Sequence, residues 1–62
     1  MNKNRISTKD RVMNAAEILV VENGFSNTPI EKICELACIS RPGFFYHFSS
    51  KDVLARQLID RA

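Results

Sequence analysis

Two short helical patterns meeting at Cys38-Ile39-Ser40 limit this chain more than any other feature. About three residues join them, and a connection that brief forces a sharp angle between the helices, the geometry of a helix-turn-helix. The first pattern opens with Thr28, whose hydroxyl can accept orphan backbone N–H bonds as an N-cap, and with Pro29, whose missing N–H costs nothing at the first helical position. Ile30, Ile33, Cys34 and Ala37 follow at three- and four-residue steps and stack on one face, with Glu31, Lys32 and Glu35 on the other. The second pattern repeats the device: Ser40 stands where it can cap, and Pro42 falls early enough for a lost N–H to be tolerated. It then runs through Phe44-Phe45-Tyr46-His47-Phe48. In a helix-turn-helix the second helix is the one offered to the major groove of DNA.

Sixty-two residues make one domain. That is below the roughly 70 to 80 residues at which a single core becomes comfortably stable, so the chain is a marginal domain or a piece of something larger. Apolar residues make up 45% and charged ones 26%, the composition of a packed globular domain rather than a disordered chain. A net charge of +2 suits a small nucleic-acid module without requiring one, so the placement of the charges decides. The longest apolar run, residues 18–21, is far too short to span a bilayer, and no charged start leads into an apolar stretch and cleavage site; the expected location is the cytoplasm.

Residues 1–7 are polar and basic, carry Lys3 and Arg5, and show no periodicity, which predicts a flexible arm. From Thr8 the pattern turns helical, with Val12, Ala16, Leu19 and Val20 as its buried stripe and Asn23-Gly24 as residues that tolerate a left-handed stop. Phe25 can fold back onto this helix, and Ser26-Asn27 lead to the Thr28 cap. Beyond Phe48, Ser49-Ser50 offer a third cap, with Lys51 and Asp52 in the first turn of a last helix whose apolar face is Val53, Leu54, Leu58 and Ile59. No strand pattern or repeat intervenes, so the expected fold is all-α: a compact bundle of about four helices, homeodomain-like, with the helix-turn-helix near residues 29–48 and the last helix near residues 50–62.

These residues carry a resemblance. Thr28, Ile33, Ala37, Ile39-Ser40-Arg41, Phe44-Phe45-Tyr46-His47-Phe48, Ser50-Lys51 and Leu54, preceded by Val12, Ala16, Leu19 and Gly24, resemble in order and spacing the DNA-binding domain of TetR/AcrR-family transcriptional repressors. The likeness runs roughly from Thr8 to Leu58. It implies a larger helical C-terminal domain that binds a small effector and forms the dimer, absent here, so that this chain is a fragment of a homodimeric regulator. Three positions depart from the pattern: Cys34 stands where alanine is usual, Cys38 where glycine is usual, and Phe45 where tyrosine is more common. Glycine suits the helix-ending turn because it takes positive φ without strain; if Cys38 sits at positive φ there, the penalty is on the order of 1 kcal/mol, which packing can offset. At Phe45 a hydroxyl contact is lost.

Arg41, in the first turn of the second helix, has the planar fork that pairs with the O6 and N7 edge of guanine; a solvated arginine or a phosphate contact is the competing reading. Ser40 can bond a base edge or a phosphate, and Pro42 and Gly43, poor helix formers, are easier to understand if that surface must be flat for a partner. Tyr46 and His47 can donate to phosphate oxygens, Lys51 adds positive charge, and the capped starts at Thr28 and Ser50 can point N–H groups at the DNA backbone. Each cap alone is ordinary structure; the phosphate reading gains because the set recurs together at the family's spacing. Phe44, Phe48 and most of Phe45 are expected in the core.

Cys34, Cys38 and His47 invite a metal test, and it fails: a structural zinc site wants four ligands, and no further cysteine or histidine exists. Two buried thiols in a reducing compartment fit better than a metal, and a disulfide between them would distort the helical turn. With one histidine, no paired carboxylates in an apolar setting and no glycine-rich phosphate loop, the chain does not read as an enzyme, and no cofactor is expected. The expectation is therefore sequence-specific binding of double-stranded DNA at a pseudo-palindromic operator, with no membrane partner. The rival is a small helical protein-interaction module using exposed apolar residues such as Leu58 and Ile59.

Overall fold

A computed structural model describes residues 7–61 and places α1 at Thr8–Asn23, a single 3-10 turn at Phe25–Asn27, α2 at Ile30–Ala37, α3 at Arg41–His47 and α4 at Lys51–Arg61. Residues 1–6 of the predicted arm, and Ala62, lie outside the described residues. Ser7, read as the end of that arm, instead caps α1: its Oγ accepts the Asp10 N–H at 3.1 Å.

The core joins Val12, Met13, Ala15 and Ala16 of α1 to Ile33, Cys34 and Ala37 of α2, with Phe44, Phe48 and Leu54 closing it. The predicted stripe on α1 is right at Val12 and Ala16, but Leu19 and Val20 are only half-buried while Met13 and Ala15 go inside. A helix packed on two neighbours buries a face wider than one row of side chains, which brings in these adjacent positions. At the far end α4 returns to α1, where Arg61 donates to Asn14 Oδ1 and lies 4.0 Å from the Glu17 carboxylate. Of the predicted apolar face on α4, Leu54 is fully buried, Val53 and Leu58 are half-buried, and Ile59 is 75% exposed.

The aromatic run divides by helical geometry. Phe44 and Phe48, one turn apart, are both inside with ring centroids 5.5 Å apart. Phe45, expected mainly in the core, is 44% exposed, because a step of one residue rotates it about 100° from Phe44.

Thr28 also departs from expectation. Gly24 leaves α1 with φ 86° and an extended ψ of 155°, so the chain swings away instead of continuing a left-handed turn. Thr28 then lies 1% exposed and its hydroxyl donates to the Gly24 carbonyl at 2.7 Å. Turned inward, that hydroxyl caps nothing; Pro29 is the residue preceding α2, and its carbonyl accepts from Lys32 and Ile33.

Between α2 and α3 the three-residue connection is present as predicted, and Cys38 sits in the left-handed region at φ 58°, ψ 51°. Its N–H bonds the Glu35 carbonyl at 3.2 Å and the Ile39 N–H bonds the Cys34 carbonyl at 3.0 Å, the paired closure of a Schellman motif. Arg11 completes the joint. Reaching from α1, its Nη2 donates to the carbonyls of Ala37 at 2.6 Å and Cys38 at 3.1 Å. A cation at the negative end of α2 satisfies acceptors the helix itself leaves open.

Candidate nucleic-acid interface

α3 is anchored on one side and bare on the other. Phe44 and the adjoining Phe48 fix its inner face, and Ser40 closes its start by accepting the Gly43 N–H at 3.2 Å. Ser40, Arg41 and Pro42 are exposed, so the leading turn points into solvent. Gly43 is half-buried, and a Cβ there would meet Ile39 Cγ1 at 2.9 Å. The missing side chain makes room for Ile39 within the protein, a packing need that the sequence reading assigned to an outside partner.

Further along α3, Tyr46 is 85% exposed and stands edge-on to His47 with centroids 5.0 Å apart. Phe45 adds an apolar ring to the same exposed helix, a contact surface the core assignment had hidden. At the start of α4, Ser50 accepts the Val53 N–H at 3.3 Å, so its predicted cap is present. Lys51 is half-buried: its Nζ donates to the Phe25 carbonyl at 2.9 Å and lies 4.6 Å from the Phe25 ring centroid. These contacts fix the ammonium beside the 3-10 turn. Thr28 differs from the others in one respect: its hydroxyl is buried and bonded to Gly24, so the first turn of α2 has no side-chain cap.

Electrostatics add a residue that sequence reading passed over. Arg41 Nη1 lies 3.5 Å from Glu31 Oε2, with both side chains well exposed. The two residues, with Cys34, Glu35 and Ile39, line an open groove between α2 and α3. Cys34 feels both charges: burial pushes its thiol up from the ordinary 9.0, Arg41 pulls it down and Glu31 pushes it up. The second cysteine is not buried as expected; Cys38 is exposed at the turn, where a left-handed residue projects from the joint. Among the described residues no three His, Cys, Asp or Glu side chains gather as metal ligands would, and no helix is long and apolar enough to cross a membrane.

The formal charges are also informative by position. Lys3 and Arg5 carry the whole excess of +2, since residues 7–61 hold seven basic and seven acidic side chains. Within α2 and α3, Lys32 and Arg41 balance Glu31 and Glu35.

Residues 12–58, well over half of the chain, match the family model described as bacterial regulatory proteins, tetR family. Among curated proteins the chain is similar to the HTH-type transcriptional regulator UidR of Escherichia coli strain K12, of Escherichia coli O157:H7 and of Shigella flexneri. Each is 36% identical over 52 residues, a match covering 84% of this chain and 26% of the relative. The chain thus aligns with about a quarter of the length of these regulators. No solved structure gives a significant match. With the helix-turn-helix, its capped second helix and this match in agreement, the chain belongs to the tetR family of bacterial regulatory proteins.

Proposed function

We propose that the chain is the DNA-binding domain of a tetR-like transcriptional regulator, a ligand-released repressor, and that α3 enters the major groove. The observation that carries this is the division of α3 itself: Phe44 is fully buried while Ser40, Arg41 and Pro42 face solvent. Arg41 would meet the guanine edge, with Ser40, Pro42 and Gly43 beside it at the bases. Tyr46, His47, Ser50 and Lys51 would hold the phosphates, and the start of α2 after Thr28 would offer backbone N–H groups to the same strand. In the whole regulator, a second copy reads the other half-site of a pseudo-palindromic operator and a further domain takes the small effector. The reading is one of binding rather than catalysis, in the cytoplasm.

One observation favours the rival interaction module: Ile18, Val21, Leu36 and Ile59 are all about half or more exposed. Salt separates the two. If about four phosphates are neutralised per domain, log affinity for duplex DNA falls against log salt with a slope near −4, whereas an apolar protein contact changes little. Fluorescence anisotropy on labelled duplexes across a salt series measures it, and affinity indifferent to salt rejects the DNA reading.

A further inference from the structure

We infer that Glu31 is a specificity-determining residue: its carboxylate occupies Arg41 in the free protein and discourages that guanidinium from binding DNA phosphates indiscriminately. The inference rests on the DNA-binding reading of α3.

The geometry is the 3.5 Å approach of Arg41 Nη1 to Glu31 Oε2 across the groove between α2 and α3. With side chains 60% and 70% exposed, the pair adds little to the stability of the fold. Its effect lies in what Arg41 is free to do. Glu35 lines the same groove, and Arg41 is the only cation among its lining residues. Glu31 stands in the first turn of α2, where a carboxylate suits the positive end of the helix.

A phosphate approaching Arg41 must displace a carboxylate of like charge and then lie near it. That opposes backbone contacts at every sequence alike. A guanine edge is neutral and offers two acceptors matched to the guanidinium fork, so it repays separation of the pair without bringing a second anion close. Discrimination is a difference of affinities, and a built-in repulsion toward the wrong target widens it. The balance of charges in α2 and α3 fits such restraint, because this part of the surface gives little general attraction to a polyanion.

The test uses Glu31→Gln on short random-sequence duplexes. Without the carboxylate, Arg41 becomes available to a phosphate, so affinity should rise about three- to tenfold at low salt. The slope of log affinity against log salt should steepen by about 1. Glu22→Gln removes the same formal charge from the exposed face of α1 and should change affinity less than about twofold. The gain should vanish when Glu31→Gln is combined with Arg41→Ala. Circular dichroism confirms that each variant is folded. Equal behaviour of the two glutamine variants, or a gain that survives loss of Arg41, overturns the inference while leaving the DNA reading intact. Absence of salt-dependent binding by the unaltered chain overturns both.

Discussion

Cys38 holds a left-handed backbone with φ 58°, a conformation that costs a residue with a Cβ on the order of 1 kcal/mol. Cys38→Gly relieves that strain but gives the unfolded chain more freedom, so the net gain should be about 0.5 kcal/mol, read from the midpoint of urea unfolding. Cys34 makes a different prediction. Its thiol is pushed upward, chiefly by burial, so the folded state holds the proton more tightly than the unfolded one. The resulting stability is complete below the ordinary value of 9.0 and is lost as pH rises from there through the raised value. Between about pH 8 and 10 the unaltered chain should therefore lose more unfolding free energy than Cys34→Ala, although the alanine variant starts lower. Parallel pH profiles for the two would refute this. Phe44 and Phe45 divide a third property. Phe44→Ala should cost about 3 to 5 kcal/mol, comparable with the whole stability of so small a domain, and leave the chain largely unfolded by circular dichroism at 25 °C. Phe45→Ala should cost about 1 kcal/mol or less and instead weaken binding to DNA.

The joint between α2 and α3 is secured from both ends, by Ser40 at the start of one helix and by Arg11 at the end of the other. Ser40→Ala should cost about 1 kcal/mol in thermal or urea unfolding, the usual worth of a side-chain N-cap. Arg11→Ala, which uncovers the Ala37 and Cys38 carbonyls, should cost about 1 to 2 kcal/mol. Lysine at position 11 should recover only part of it, because an ammonium does not present the planar fork of a guanidinium. These two supports differ in how well the sequence shows them. Ser40 and Ser50 were legible as caps because a hydroxyl just ahead of a helical pattern meets an N–H three residues on. Thr28 has the same signature and fails. Its hydroxyl can also donate, and the extended exit at Gly24 puts a carbonyl within reach. Arg11 gave no signal at all, since it bonds carbonyls 26 and 27 residues away and such contacts have no local pattern. The four helices were readable from periodicity and punctuation. Glu31 escaped for the reason Arg11 did: its partner is a neighbour only after α3 has turned across α2.

Across the whole chain, the exposed positions fall into groups of different chemistry. Arg41, Phe45 and Tyr46 belong to α3, whereas Ile18 and Val21 lie on α1 and Ile59 on α4. If α3 is the DNA-facing element, substituting Ile18 and Ile59 with polar residues should improve solubility and leave duplex affinity within about twofold, measured by anisotropy at fixed salt. A large loss of DNA affinity from those changes would move the interface to α1 and α4. The placement of the two sulfurs has a practical corollary. One is inside and one is outside, at the joint that sets the direction of α3. A maleimide dye added to the native protein should thus attach at Cys38 alone, and the fluorophore would sit beside α3 without any engineered residue. Its emission would report occupancy of that helix directly, while labelling of Cys34 would count the molecules that have opened.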